Sequence, residues 1–297
     1  MSFIKLARTF ISIKGEDAEK FLQGQVSCDV STLNDEQFSF GTLNTPKGRI
    51  YGLFKIIRFK DGFILSVEPS TSPLIIKQLS KYCVFFKCVI NEESSYSAYG
   101  NVIESSEEAP CSDQYPSEGF NIAITPQRIT LRLPSFEEYA LFENWYLEGQ
   151  EPNMIENKVS YETWSTFETR QGIPELYEKT QDAFILQYLN LQELGAVSFK
   201  KGCYTGQEII ARMKFLGKQK KMTYLLTSKD KLTVNPSTNI YKKDGSKCGT
   251  VVRSHWSDQT GSVTLAIINN SYVEENSTAY LDPECTAEFE ISTLNYS

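Results

Sequence analysis

The 297-residue sequence predicts an α+β protein followed by a separate β-rich part. Three observations predict this. Up to about residue 218, strand-like runs alternate with short amphipathic helical stretches. From Met222 the pattern changes to strands divided by turns: "TYLLTS", "TNIYKKDGSKCGTVVRSHW", "GSVTLAIINN" and "AYLDPECTAEFEI". Strands at that spacing indicate a small β-barrel or sandwich. The length also exceeds one comfortable core, since cores stop growing near roughly 250–300 residues, so two or three domains are expected.

The elements follow in order. "TFISIKG" alternates apolar and polar residues and reads as a strand. "GEDAEKFLQG" has acids in its first turn, Ala18, Phe21 and Leu22 on one face, and a stop at Gly24. "FSFGTLN" and "IYGLFKIIRF" are strands joined by the turn "TPKGR". Asp61-Gly62 is a hairpin turn before "FILSVE". Pro73 opens the helix "PLIIKQLSKY", and "VFFKCVI" returns as a strand. Residues 104–118 are polar and acidic, as in a solvated loop or linker. "RITLRL" reads as a strand, and a helix is expected after Pro134. "YETWSTFETRQGIP" reads as a helix broken by Gly172 and Pro174.

Composition narrows the function classes. A net charge of -7 argues against nucleic-acid binding over the whole surface, yet leaves room for a local basic site. The odd count of seven cysteines, with no CxxC pair, fits a reducing compartment and disfavours a self-contained zinc or iron–sulfur cage. Cys83 and Cys88, in "YCVFFKCVI", read as small buried core residues. There is no signal-like start and no run approaching the ~20 apolar residues of a membrane span. A cytoplasmic protein is expected.

One segment departs from the rest. "SFKKGCYTGQEIIARMKFLGKQKK", Ser198 to Lys221, holds seven positive residues and one acid. Thr205 and Glu208 form a T-x-x-E capping box, so a helix should begin there. Ile209, Ile210, Met213 and Leu216 supply its apolar stripe, and Gly217 its stop. Cys203 would then sit just ahead of a helix N-terminus, with Lys200 and Lys201 beside it. Dipole and ammonium charge both favour a thiolate. Cys203 is either a reactive thiol or a loop cysteine selected for size. Lys214, Lys218, Lys220 and Lys221 form a solvated face, or a site for an anion such as a polyglutamate tail or an RNA backbone.

The octapeptide "KGCYTGQE" resembles the signature of the YgfZ family, folate-binding proteins implicated in tRNA modification and iron–sulfur maintenance. The likeness extends over the 34 residues from Phe184 to Gly217. It is weaker at "GEDAEKFLQGQVSCDV" (15–30) and "TPKGR" (45–49). It implies a fold similar to the glycine-cleavage T-protein and other aminomethyltransferases. That fold has two α/β ferredoxin-like domains and a C-terminal β-barrel around a central opening that would hold tetrahydrofolate. The implied divisions are 1–44 with 157–218, 45–156, and 219–297.

The resemblance puts the family's essential cysteine at Cys203. Lys201, Tyr204 and Gly206 match a Lys-x-x-Tyr/Phe-x-Gly pattern shared with the T-proteins, and Gln207 completes the motif. One folate-associated tryptophan falls on Trp164, whose ring plane would suit a pterin. The other falls near Arg8, Thr9 and Phe10, where Arg8 or Phe10 would substitute. Relatives tend to read Arg-x-Glu-x-Gly where this chain has Glu168-Thr-Arg170-Gln-Gly172. That exchange moves a carboxylate by two residues and brings a change of ligand into view. Leu186 also replaces a proline before Gln187.

The implied function is a folate-binding accessory factor supporting tRNA modification and iron–sulfur enzymes, including those that thiolate tRNA. Two alternatives stay open. One is a tetrahydrofolate-dependent aminomethyltransferase or demethylase, for which Asp29 lies in the region of the required acid. The other is an RNA-binding module acting through Lys214 to Lys221. His255 reads as structural. No motif assigns a turnover reaction.

Overall fold

The computed structural model describes residues 3–104, 115–135, 139–152 and 160–296. β1 (Ile4–Leu6) is the edge of one sheet, and β2 (Thr9–Lys14) lies inside another. After α1 (Ala18–Gln23) come β3 (Phe38–Asn44), β4 (Ile50–Phe59) and β5 (Gly62–Val67). Then follow α2 (Ser72–Cys83) and β6 (Val89–Glu93). The strands from β2 to β6 pair antiparallel in the order β3–β4–β5–β2–β6.

The second sheet takes β7 (Tyr96–Glu104), β8 (Ile122–Ile124), β9 (Arg128–Arg132) and β10 (Tyr139–Leu147). With β1 they run β1–β7–β10–β9–β8. The hairpin β3–β4 spans residues 44 and 45, so the division expected there passes through paired strands.

α3 (Tyr161–Arg170) packs against β1 and β7 on one side. Turns and the 3-10 stretch Leu186–Leu189 lead from it to α4 (Gln207–Leu216). The rest is β11 (Lys221–Ser228), β12 (Asn239–Tyr241), β13 (Lys247–Ser257), β14 (Gly261–Asn269), the short α5 (Asn270–Val273), β15 (Thr278–Tyr280) and β16 (Glu288–Ser292). Its strands close into a barrel in the order β11–β14–β13–β12–β15–β16, the first of the two architectures that the turn spacing left open. β13 and β14 form the wall against which α3 packs from its other side. No helix among the described residues is long and apolar enough to cross a membrane.

Alternation explains why these layers stack. Successive strand residues face opposite sides, and β4 has apolar residues on both. Phe54 and Ile56 meet Phe21, Leu22, Ile75 and Leu79 of α1 and α2. Leu53 and Ile57 turn the other way, into a core shared with Leu131, Leu141 and Trp145 of the second sheet. That core continues through Trp164 and Phe167 to Val252, Val263 and Leu265 on the barrel's outer wall. Leu226, Val251, Ala266 and Phe289 fill the barrel's inside.

The structure corrects several expectations. The helix expected after Pro134 is instead strand β10, because Leu141, Glu143 and Trp145 alternate with Ala140, Phe142 and Asn144, and both faces are buried. "VFFKCVI" begins as a turn, with the strand starting only at Val89. Cys83 and Cys88 are half-buried rather than core residues. Most of the acidic stretch 104–118, with Cys111, lies outside the described residues.

Gly100 of β7 lies against the indole of Trp164: a Cβ there would sit 2.7 Å from ring atoms. Gly100→Ala should therefore overpack the α3 contact and lower stability by about 1–3 kcal/mol, read as a shift of the urea unfolding midpoint. An unchanged midpoint would remove this contact from the account of the fold.

Candidate functional site

Three stretches far apart in sequence meet at the cysteine loop. Ser198 donates its N–H to the Ser27 carbonyl at 2.9 Å, and its hydroxyl accepts the N–H groups of Lys200 and Lys201 at 3.3 and 3.2 Å. Ser27 Oγ donates to the Ala196 carbonyl at 2.5 Å. Lys201 turns inward, with Nζ donating to the carbonyls of Val26 (3.0 Å) and Cys28 (2.6 Å). The Thr205 N–H reaches the Gly24 carbonyl at 3.3 Å. Gly206 has φ 86° and lies so close to the 45–48 turn that a Cβ would be 2.6 Å from the Thr45 carbonyl oxygen. Only glycine meets both conditions without strain. Gly48 in turn lies under Ile209 and Ile210 of α4.

Cys203 stands exposed on this anchored loop. The expected surroundings of the thiol change in two respects. The capping box does not form: α4 begins at Gln207, its N-cap is Gly206, and no side chain caps it. The reason is that the Thr205 N–H, which Glu208 would need to accept, is bound to Gly24. The Lys201 ammonium also faces the 26–28 backbone rather than solvent, being only 8% exposed. Burial lowers Lys201 to about 8, against the raising influence of Cys28 and Asp29. Lys200 remains exposed. Tyr204 is buried, its ring centroid 5.3 Å from Lys201 Nζ, and burial pushes its phenol up to about 12.

Asp29 is a capping residue. It accepts from Ser31 Oγ (2.6 Å), Gln23 Nε2 (2.8 Å) and the Ser31 N–H (3.2 Å). Burial raises its carboxyl, but these bonds prevail and hold it below the ordinary value.

A second cluster lies where both sheets, α3 and the barrel converge. Glu143 of β10 accepts from Lys55 Nζ at 2.6 Å, Trp145 Nε1 at 2.8 Å and Ser66 Oγ at 3.2 Å. Glu168 of α3 lies 3.6 Å from both Arg8 and Lys55, and 3.4 Å from Arg253 of β13. Arg8 also reaches Glu175 at 2.5 Å. Three cations and three carboxylates thus balance in the interior. Burial raises Glu143 and Glu168, yet Lys55 first, then the arginines, hold both below the ordinary carboxylate range. Burial likewise works against Arg8 and Arg253, but Glu175 for the first and Glu168 for the second keep them above the usual arginine value. His255, 3.4 Å from Arg253, is driven down to about 3 by burial and by that guanidinium, so it stays neutral.

Four buried atoms in this region find no hydrogen-bond partner among the described residues: Arg8 Nε, Trp164 Nε1, Glu168 Oε1 and Arg253 Nε. Trp164 is 1% exposed and seated on Gly100, which lies directly opposite Glu143 in the β7–β10 ladder. The open ring plane expected for a pterin is therefore covered by core, and the group left without a partner is Nε1. Phe10 is also a core residue, its ring 5.1 Å from that of Trp145. The exchanged pair resolves clearly: Glu168 points inward one turn after Trp164, and Arg170 is half-buried.

Arg8, Phe10 and Trp164 thus gather in the shared core, and Lys201, Cys203, Tyr204 and Gly206 in the loop, with Gln207 opening α4 behind it. Sequence reasoning missed Lys55, Glu143, Glu175 and Arg253. The signal for three of them was present in "GLFKIIRF", "ALFENWYL" and "TVVRSHW", where Lys55, Glu143 and Arg253 each follow two apolar residues.

Beyond the loop, Lys214, Lys218, Lys220 and Lys221 are exposed. The apolar stripe of α4 ends early: Ile210 is buried, but Leu216 is 83% and Phe215 67% exposed. Phe215 packs edge-on to Phe199 with centroids 5.9 Å apart, and Lys214 Nζ lies 5.6 Å from the Phe199 ring.

No family model matches the chain. It is 30% identical over 281 residues to the tRNA-modifying protein YgfZ of Colwellia psychrerythraea, covering 88% of this chain and 82% of that one. It is 30% identical over 243 residues to the tRNA-modifying protein YgfZ of Vibrio atlanticus, covering 79% and 72%. Its structure matches the glycine cleavage system aminomethyltransferase T of Bartonella henselae with a TM-score of 0.70 over 100% of this chain and 86% of that one, at 11% identity. The structural likeness shows an aminomethyltransferase fold with its C-terminal barrel, and the sequence likeness, extending over most of both chains, shows that this protein belongs to the YgfZ family.

Proposed function

We propose that the protein is a folate-binding accessory factor in tRNA modification that supports iron–sulfur enzymes, including those that thiolate tRNA, with Cys203 as its functional thiol. The observation that carries this reading is Cys203 itself. Among the described cysteines it alone is exposed, and the loop that presents it is tied to residues 24–28 and the 45–48 turn. A thiol held at a fixed place on the surface can meet a cluster, a persulfide or a partner thiol.

The ion cluster supports the folate part. A pterin ring presents both N–H donors and acceptors, and the unpartnered atoms are of both kinds. Glu168 Oε1 would accept from the ring, while Trp164 Nε1, Arg8 Nε and Arg253 Nε would donate to it. Tetrahydrofolate, when bound, would supply nitrogens that carry one-carbon units.

An accessory role suits the acids better than an aminomethyl reaction. Such a reaction needs an acid that can give or take a proton near neutral pH. Glu143, Glu168 and Asp29 are all held below their ordinary values by cations or hydrogen bonds. For tRNA the matching surface is the end of α4, where lysines surround the exposed Phe215 and Leu216. Ammonium groups suit phosphates, and an exposed ring suits an unstacked base.

In a strain lacking the protein, Cys203→Ala should fail to restore thiolated tRNA, measured by nucleoside mass spectrometry; full restoration would take the thiol out of the function. Calorimetric titration with tetrahydrofolate should show binding by the wild type. Trp164→Phe, which removes one N–H and keeps a ring, should weaken it roughly two- to tenfold, as expected for one hydrogen bond of about 0.5–1.5 kcal/mol. Absence of heat with the wild type would remove folate and leave the thiol reading in place. Reversing Lys218, Lys220 and Lys221 to Glu should weaken tRNA binding and flatten its dependence on salt. Equal affinity and slope would place the RNA elsewhere.

A further inference from the structure

The turn between α2 and β6 holds two sulfurs that the proposed function does not use. Sγ of Cys83, the last residue of α2, lies 3.2 Å from Sγ of Cys88. Cys83 Sγ also donates to the Cys88 carbonyl at 3.1 Å.

Backbone imposes this proximity. The N–H groups of Phe85 and Phe86 bond back to the carbonyls of Tyr82 and Cys83, which reverses the chain and returns residue 88 to residue 83. Lys87 is held from both sides by Asp17: its N–H donates to Asp17 Oδ2 at 2.9 Å, and its carbonyl accepts the Asp17 N–H at 3.3 Å. Phe86 packs on Phe21 of α1 with centroids 5.3 Å apart. The anchored side of the turn is therefore fixed. Its tip is open, with Val84 77% and Phe85 79% exposed. Both sulfurs are half-buried, so a small reagent can reach them. Burial, and after it the hydrogen bond with Cys83, pushes the Cys88 thiol up to about 12. Cys88 is therefore held as the neutral thiol.

We propose that Cys83 and Cys88 are a reversible disulfide site, oxidised by small-molecule disulfides such as oxidised glutathione. The Cys83 thiolate attacks one sulfur of the reagent. The reagent's S–S bond breaks, and its first half leaves as a thiolate that takes up a proton. Cys88, giving its proton to the departing group, then attacks the Cys83 sulfur of the mixed disulfide and expels the second half. The two cysteines lose two hydrogen atoms between them, and the reagent is reduced to two thiols. The sulfurs need to close by only about 1 Å to reach bonding distance. The site is independent of Cys203 and of the folate reading.

The test uses the whole protein with an excess of oxidised glutathione, then iodoacetamide and trypsin. Trypsin cuts after Lys87, between the two cysteines, and the peptide that starts at Cys88 also carries Cys111, so the linkage is read in a Cys111→Ser background, where only a Cys83–Cys88 disulfide keeps the two peptides together. The linked pair should form in that background, with or without Cys203→Ser, and separate on reduction. In Cys83→Ser it should be lost, with Cys88 left alkylated or glutathionylated. The proposal is overturned by full alkylation of both thiols in the treated wild type, by a lasting glutathione adduct on either one, or by linkage that forms only in urea.

Discussion

Charge neutrality in the interior is the constraint on which this architecture depends. A carboxylate at complete burial is tolerated only with cations and hydrogen bonds around it. Glu143 and Glu168 are both in that position, and their partners come from every layer: Arg8 from the end of β1, Lys55 from β4, Arg253 from β13. Apolar packing presses the two sheets and the barrel together. The ion cluster selects one arrangement among the many that such packing would allow, because a shifted layer would leave a buried charge alone. It also holds Glu168 at 3.4–3.6 Å from three cations without a short bond to any of them. The carboxylate is thereby stabilised as an anion while one oxygen keeps its capacity to accept.

The cysteine loop follows a different logic. Tyr204 anchors it in the core, and the rest of its shape comes from backbone groups of segments remote in sequence. An inward lysine takes two carbonyls, and a glycine at positive φ lets two loops touch. Such a loop presents a side chain to solvent without the mobility that exposure usually brings.

Much of the fold could be read from the residues. β2, β4 and the barrel strands follow from period-two alternation and turn chemistry, and the family signature supplied the three-part arrangement. The failures have physical causes. The helix expected after Pro134 rested on a proline that can open one, but residues 139–147 are paired on both sides, to β7 and β9, and that tertiary pairing decides the element. The capping box failed because a tertiary contact from Gly24 took the donor that local geometry would have used. The ion cluster was invisible because its bonds join residues 88 and 85 positions apart, Lys55 to Glu143 and Glu168 to Arg253. Charges beside apolar residues announce that partners exist, but not which ones.

Arg253 is made after every other member of the ion cluster. While the ribosome is still synthesising the barrel, the nascent layers would have to enclose three carboxylates with only two cations available. Final consolidation of the interior must therefore await the closing strands. A fragment ending near residue 220 would retain the whole cysteine loop and still lack the counterion that lets its own centre dry out. The barrel is in this sense a late-arriving component of the core, and not an appendage that could be trimmed away.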